Sequence, residues 1–143
     1  MFNQALKTEL AARRAEVTEY QGLIAALERS MAVVEFDLNG KVLRANDNFM
    51  KTLGYNTAQL AGKTHRDFCP PALTGSSAYA EFWQELRAGK FVSGTFKRVD
   101  AHGKIIWLEA SYNPVLDARG QVSKVVKYRS EEHMSELQSP VLS

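Results

Sequence analysis

This sequence contains little cysteine and little net charge. The single cysteine, Cys69, has no second thiol with which to form an internal disulfide or a cysteine-based metal cluster. The formal net charge is only +2, from 18 lysines and arginines against 16 acidic residues. These charges are scattered along the chain rather than gathered on one segment. The sequence therefore predicts no nucleic-acid-binding surface.

Long apolar runs are also missing. The apolar stretches extend over a few residues, far fewer than the roughly 20 needed to span a bilayer, and the amino-terminal MFNQALKTEL has no apolar signal core. We therefore expect no membrane span and a cytoplasmic location. The sequence has no nucleophile elbow, phosphate loop, zinc-spaced Cys/His cluster or kinase signature. We do not expect an enzyme.

Residues 1–30 are predicted to form an amphipathic helix separate from the rest of the chain. This segment is rich in Ala, Leu, Glu and Arg and contains no proline. Its apolar residues recur with alternating spacings of four and three, as in a coiled coil. The resulting seam consists of Leu6, Leu10, Val17, Tyr20, Ile24, Leu27 and Met31. Two interpretations stay open, a helix docked on its own domain and the interface of a homodimer, and both hold if the helix crosses between subunits.

The period changes from helical to alternating after Arg29. A strand from Ala32 to Phe36 and a return strand starting at Val42 flank an Asn-Gly turn, which predicts a hairpin. Further on, Asn46 is predicted to cap a helix that Gly54 ends. The pair Asn56 and Gln59 is predicted to cap a second, short helix that stops at Gly62.

The second half of the chain predicts more short helices and three strands. A short helix is expected at 65–68, followed by a loop, and a helix capped by Ser77 runs to Gly89. The strands are expected at 91–99, 104–115 and 122–128. The fold class is therefore α+β, with a five-stranded antiparallel sheet and short helices on one face. We expect the amino-terminal helix to cover the other face, because the strand at 104–115 is apolar on both sides near Ile105 and Leu108.

Five blocks of this region match, in order, a known family. They read EFDLNG, RANDNFMKTLGY, AGKTHRDFC, FWQELRAGKFVSGTFKRVDAHGKIIWLEASYNPV and DARGQVSKVVKY. Residues 31–128 resemble the PAS sensory domain, of the type at the amino terminus of cytoplasmic bacterial methyl-accepting chemotaxis and aerotaxis receptors. The resemblance implies a PAS fold that senses a small ligand, oxygen or redox state and signals to a downstream domain. The alternatives are a regulatory module of a histidine kinase or diguanylate cyclase, and an unliganded dimerisation module.

The resemblance also implies four candidate cofactor-binding residues at an internal cleft, which are His65, Trp83, Leu108 and Tyr112. His65 is the candidate metal ligand, because haem-binding relatives take their axial ligand from this region. The alternative is a structural His65 that hydrogen-bonds the following loop. The last strand, VSKVVKY, lacks the tryptophan that contacts oxygen in such haem receptors.

Resemblance to flavin-carrying PAS domains gives a second cofactor hypothesis, FAD flanked by Trp83. The segment 68–71 is Phe-Cys-Pro-Pro, where those domains carry a basic-His-Pro segment. The alternative for Trp83 and Trp107 is core or interface packing. Cys69 is expected to be a small packed residue rather than a redox sensor. Without a base nearby in the sequence, and without the Asn-Cys block of light-sensing flavin domains, we do not expect a photochemical role for it. Haem b, FAD and no cofactor all stay open.

The final segment, 129–143, is expected to be foreign to the domain. Its RSEEHMSELQSP resembles the translation of a sequencing-library adaptor. On that interpretation the natural sequence ends near Tyr128, and a downstream signalling domain is missing from this fragment. The alternative is an authentic polar tail that is helical over 131–138.

Overall fold

The protein is described by a computed structural model over residues 2–130. The chain divides between Ser30 and Met31 into two compact units. The first unit is helix α1 (Phe2–Ser30), as the heptad pattern predicts. No residue of α1 is buried, and the apolar seam residue Leu27 is 49% exposed. Whether α1 forms a dimer seam or covers the sheet stays a prediction.

The second unit has the predicted α+β architecture. Its five strands form an antiparallel sheet in the order β2-β1-β5-β4-β3. The strands are β1 (Met31–Phe36), β2 (Val42–Ala45), β3 (Val92–Val99), β4 (Ile105–Leu116) and β5 (Val122–Ser130). Between β2 and β3 lie α2 (Asp47–Leu53), α3 (Thr57–Leu60), a 3₁₀ helix (His65–Phe68), α4 (Pro71–Thr74) and α5 (Ser77–Arg87). No helix within residues 2–130 is both long and apolar enough to cross a bilayer.

Asn46 connects the first strand to the helical layer. Its side-chain oxygen accepts from the backbone N–H of Phe49, which caps α2, and from the N–H of Val33 in β1. Its amide nitrogen donates to the carbonyl of Met31 at 2.8 Å. Gly54 ends α2 with a φ of +80°, a left-handed conformation that glycine adopts without strain. These caps confirm the local predictions for α2 and fix where the helical layer begins on the sheet.

Several element assignments differ from the sequence prediction. The predicted loop after Cys69 contains the short helix α4, which starts at Pro71 because proline suits the first helical position. The cap of α5 is Ser76 rather than Ser77, since the Ser76 hydroxyl accepts from the N–H of Tyr79. Strand β5 continues beyond Tyr128 to Ser130, so Arg129 pairs with both neighbouring strands. The rest of the expected foreign tail, 131–143, lies outside the described residues.

The core lies between the helical layer and one face of the sheet, called here the inner face. Apolar side chains on that face belong to Ala32, Val34, Phe36, Ile106, Leu108, Tyr112 and Val125. They pack against Phe49, Leu53, Leu60, Phe68, Tyr79, Trp83 and Leu86 from the helices, and against Cys69, which follows the 3₁₀ helix. The same face carries three buried cations, Arg98 of β3 and Lys127 and Arg129 of β5. The inner face is therefore apolar around a charged centre.

Candidate functional site

His65 is at the centre of the candidate site. It opens the 3₁₀ helix, and its backbone N–H donates to the carbonyl of Gly40 in the β1–β2 turn at 2.7 Å. Its side chain is enclosed, with 1% of the residue exposed. The imidazole Nδ1 lies 2.7 Å from the hydroxyl oxygen of Tyr79, and Nε2 lies 3.0 Å from that of Tyr112. Both ring nitrogens are therefore engaged by tyrosines.

Arg98 fixes the direction of these hydrogen bonds. Its Nε and Nη2 donate to the Tyr112 hydroxyl oxygen at 3.3 and 3.0 Å, and a guanidinium cannot accept. The Tyr112 proton is therefore donated to Nε2 of His65. Because buried His65 is neutral, its one ring proton is on Nδ1 and is donated to Tyr79. The chain of donors runs from Arg98 through Tyr112 and His65 to Tyr79.

Cys69 belongs to the same cluster. Its sulfur lies 3.5 Å from Nδ1 of His65, and its thiol donates to the His65 carbonyl at 3.3 Å. The sequence expectation that no base lies near this thiol is therefore wrong, because one turn of 3₁₀ helix brings residues 65 and 69 together. Burial raises the pKa of Cys69, which disfavours the reactive thiolate. Packing of Cys69 in the core agrees with the sequence prediction.

The buried cations set the electrostatics of the site. Arg98 is 2% exposed and Lys127 is 4% exposed, and the Lys127 ammonium lies 5.3 Å from the centre of the Tyr112 ring. In the part of the chain that the structure describes, neither cation forms an ion pair with a carboxylate. The interior beneath the sheet therefore carries positive charge without an acidic partner.

The pKa values of the cluster follow from burial and this positive charge. Burial, reinforced by Arg98 and Lys127, holds the pKa of His65 well below its usual value of 6.5. Burial, with Arg98 adding repulsion, likewise holds the pKa of Lys127 well below 10.5. Burial raises the pKa of Tyr112 to about 12, against the opposing effect of Arg98. Tyr112 therefore keeps its hydroxyl proton, as the donor chain requires.

The structure brings together three of the four residues predicted from sequence. The ring centre of His65 lies 5.5 Å from that of Trp83 and 5.4 Å from that of Tyr112. Leu108, on the inner face of β4, is buried in the apolar core. Sequence reasoning missed the cations Arg98 and Lys127. Strand alternation could have indicated that both side chains point inward. Each lies two residues after an inward-facing residue of its own strand and therefore shares its face.

Aromatic rings enclose the imidazole. Tyr79 and Phe82 of α5 stack on His65 with ring centres 5.6 Å away, at interplanar angles of 19° and 25°. Phe36 of β1 meets it edge to face at 5.2 Å. Such contacts hold the ring in a fixed orientation.

A cavity of about 230 Å³ opens beside this cluster. Its floor consists of the buried residues Gly40, His65, Tyr79 and Trp83, and its rim of the exposed residues Asn39, Arg66, Ala80 and Arg87. Gly40 has a φ of +87°, and a Cβ built on it lies 3.5 Å from the Trp83 ring and 3.6 Å from Cβ of His65. A Cβ would therefore make only ordinary contacts, and it is the positive φ that favours glycine at this position.

The described arrangement does not fit a haem or a flavin. Pockets for drug-sized ligands measure roughly 300–1,000 Å³, and the cavity is smaller. An axial haem ligand needs a ring nitrogen, and both nitrogens of His65 are hydrogen-bonded to tyrosines. Ligation by His65 therefore requires a hydroxyl to leave, and it stays a prediction, as does a flavin beside Trp83. Within residues 2–130, no three His, Cys, Asp or Glu side chains are grouped to hold a metal ion.

Known proteins share the region that contains this cluster. Residues 42–129 match the family model described as the PAS fold. The biofilm dispersion protein BdlA of Pseudomonas aeruginosa is 52% identical over 113 residues, which cover 79% of this chain and 27% of that protein. The aerotaxis receptor of Escherichia coli is 29% identical over 94 residues, which cover 66% of this chain and 18% of the receptor. The chain therefore spans about a quarter or less of the length of these relatives.

A solved structure supports the fold. The crystal structure of a PAS domain from Colwellia psychrerythraea superposes with a TM-score of 0.66 at 19% identity. The match covers 78% of this chain and 95% of that domain. At this identity the likeness concerns the fold alone.

Proposed function

Because this chain belongs to the PAS fold family, we propose that it is the sensory domain of a bacterial chemoreceptor. It detects a small ligand, oxygen or a redox change and passes the signal to a downstream signalling domain. The identity with the biofilm dispersion protein and with the aerotaxis receptor supports this role. The domain is a sensor rather than an enzyme, and it works in the cytoplasm, as in the cytoplasmic receptors that the sequence resembles.

The observation that carries the proposal is the position of His65 between the two layers of the domain. One ring nitrogen bonds Tyr79 of α5, and the other bonds Tyr112 of β4. Tyr112 in turn holds Arg98 of β3. A displacement of α5 by a ligand therefore changes hydrogen bonds inside the sheet. Ligand binding shifts the balance between two arrangements of this network, provided the ligand prefers one of them.

The sensor works as a homodimer through α1. The support is the heptad seam, whose apolar residues within α1 are about half exposed in the single chain, from 49% at Leu27 to 59% at Tyr20. A two-stranded coiled coil buries such a seam between two copies.

A chimeric receptor tests the sensory role. In a Pseudomonas aeruginosa strain without its biofilm dispersion protein, that protein is reintroduced with its matching region replaced by residues 1–130 of this chain. We expect the chimera to restore dispersion, and its Tyr112→Phe variant to lose the response when the two are compared at equal protein level. A stable chimera that is as inactive as a receptor without the region contradicts the proposal.

A second candidate function, the unliganded dimerisation module, is favoured by the filled interior. Both nitrogens of His65 are satisfied, and Tyr112 and Phe36 are fully buried against the helical layer. The visible absorption spectrum of the purified chain distinguishes a sensor that carries haem or FAD from a domain without a chromophore. Haem gives a Soret band, FAD gives the flavin spectrum, and the described geometry leads us to expect neither.

A further inference from the structure

We propose that the cavity beside His65 binds a small organic carboxylate. This inference rests on the proposed sensory function and names the class of ligand that the sensor detects.

The cavity floor presents a hydrogen-bond donor. The donor chain from Arg98 ends on the oxygen of Tyr79, which accepts from Nδ1 of His65 at 2.7 Å. The hydroxyl proton of Tyr79 is then available, and no acceptor for it is found within residues 2–130. Since Tyr79 lines the cavity, a ligand with an acceptor oxygen satisfies this proton.

Two arginines stand at the rim. The Arg66 guanidinium lies 5.2 Å from the centre of the Tyr79 ring, and its Nη1 donates to the carbonyl of Thr74. Arg87, from the last turn of α5, donates through Nη1 to the carbonyl of Leu38. Each bond uses one of five guanidinium N–H groups, which leaves a forked pair of donors on each side chain. Such forks match the two oxygens of a carboxylate.

No acidic residue lines the cavity to compete for these arginines. Behind the floor, Arg98 adds a buried positive charge that no carboxylate of the described residues neutralises. A negative ligand on Tyr79 therefore enters a field that favours it from both sides. A neutral ligand of the same shape gains nothing from these charges.

The size of the cavity limits the ligand. Its volume is about 230 Å³, which equals roughly seven to eight waters at ~30 Å³ each. The cavity floor includes the indole of Trp83, which suits an apolar or aromatic body. These dimensions indicate a molecule of the size of benzoate or smaller, carrying its carboxylate toward Arg66 and Arg87.

Nuclear magnetic resonance of the full chain tests this site, with acetate, succinate and benzoate as probes and benzamide as the neutral analogue. The two tryptophans give an internal comparison, because Trp83 lines the cavity and Trp107 does not. We expect at least one carboxylate to shift the Trp83 indole signal saturably and to leave that of Trp107 in place. The neutral analogue should bind at least about tenfold more weakly, since hydrogen bonds to charged groups contribute roughly 1.5–3 kcal/mol each.

Variants connect binding to the named residues. The double variant Arg66→Gln, Arg87→Gln should weaken the carboxylate at least about tenfold, and Tyr79→Phe should weaken it to a smaller extent. The matched control is Arg119→Gln, in the β4–β5 turn outside the cavity, which should bind as the original chain does. The proposal fails if no carboxylate saturates the signal at millimolar concentration, if benzamide binds equally, or if Arg119→Gln loses as much affinity.

The binding experiment and the chimeric receptor can succeed or fail independently of each other. An active chimera without carboxylate binding refutes the ligand class and leaves the sensory role in place. Carboxylate binding with an inactive chimera supports the site and refutes the receptor role. Inorganic phosphate that binds as tightly as the best carboxylate, with the same dependence on Arg66 and Arg87, refutes the specificity for carboxylates.

Discussion

The hydroxyl oxygen of Tyr112 lies 3.0 Å from Nε2 of His65, although 47 positions separate the two residues in the chain. The same oxygen accepts two hydrogen bonds from Arg98. The Tyr112 hydroxyl therefore accepts hydrogen bonds from the buried guanidinium of Arg98 and orients the buried imidazole of His65. The interior of this domain depends on that polar contact as well as on apolar packing.

The first prediction concerns that oxygen. Tyr112→Phe removes the acceptor of Arg98 and the donor to His65, and leaves both side chains buried. We expect the free energy of unfolding to fall by roughly 2–4 kcal/mol, because each unsatisfied buried polar group costs about 1–3 kcal/mol. Urea unfolding followed by circular dichroism measures the loss.

The matched control is Tyr55→Phe. The Tyr55 ring packs edge to face on Phe68 with centres 5.5 Å apart, and the structure gives its hydroxyl no hydrogen bond within the described residues. Removing that hydroxyl should change the stability by less than about 0.5 kcal/mol. Equal losses in the two variants contradict the role assigned to Tyr112.

The second prediction is a loss of stability in acid that depends on His65. Its pKa in the folded state lies well below 6.5 because of burial and the nearby cations. Below about pH 6.5 the imidazole of His65 therefore binds a proton in the unfolded chain but not in the folded state. The free energy of unfolding consequently falls as the pH falls. From pH 6.5 to pH 5 the contribution of this group is a loss of at most about 1.6 kcal/mol.

The comparison with His65→Gln isolates that contribution, because the other titrating groups are common to both proteins. We expect the variant to be less stable at pH 7.5 and to lose less on acidification. His102→Gln, on an exposed turn, should decline like the original chain. A His65→Gln variant with an unchanged acid slope shows that His65 is not held neutral.

The sequence predicted best where the determining residues are close together. The cap of Asn46 on Phe49 and the capping box of Asn56 with Gln59 each join residues three positions apart. Residue types alone determine such contacts. The short helix at Pro71 was missed because proline was taken only as a breaker, although it is also favoured at a first helical position.

The candidate site was predictable only in part. The resemblance to a family indicated the residues His65, Trp83 and Tyr112, and the structure brings their rings together. The partners of His65 come from residues 14 and 47 positions away, and no local pattern reports that pairing. Lys127 follows the inward alternation of its strand. Lysine is almost never fully buried, however, so the residue type argued against a buried position for Lys127.

The third prediction concerns the end of the domain. Deleting 131–143 should shift the melting temperature by less than a few degrees, whereas deleting 129–143 should shift it further. The reason is that Arg129 is 3% exposed, pairs with Ala32 and Ala110, and donates to the hydroxyl of Thr52. Differential scanning calorimetry of the two truncations decides it. Identical melting temperatures refute a structural role for Arg129 and Ser130.

The fourth prediction concerns the seam of α1. Replacing Val17 and Ile24 with Asp should convert a dimer to a monomer, because buried unpaired carboxylates cost several kcal/mol. Thr8→Asp with Ala15→Asp adds the same charge away from the seam and should leave the dimer intact. Light scattering measures the mass of each protein. A monomeric original chain, or a dimer that survives the seam variant, refutes the homodimer through α1.

The last prediction compares two lysines on opposite faces of β5. Lys127 points into the core and is 4% exposed, and the Lys124 side chain is 37% exposed and pairs with Glu35 at 2.6 Å. Lys127→Met keeps the apolar stem and removes the buried charge. Its cation–π contact is worth about 0.5–2 kcal/mol, less than the several kcal/mol of desolvation. We therefore expect Lys127→Met to raise the free energy of unfolding at pH 7 by roughly 1 kcal/mol.

The pH dependence of stability tests independently whether the Lys127 charge destabilises the fold. Because the folded-state pKa of Lys127 lies well below 10.5, the unfolded chain holds a proton that the folded state disfavours. That penalty is present at neutral pH and disappears as pH rises toward 10.5, so the advantage of Lys127→Met should shrink in alkali. Lys124→Met instead breaks a partly exposed ion pair whose Glu35 keeps Arg44 as a second partner, and should lose less than about 1 kcal/mol. Urea unfolding from pH 7 to pH 9.5 measures the stability of both variants. If Lys127→Met is less stable than the original chain at pH 7, the buried ammonium stabilises the fold and the prediction is wrong.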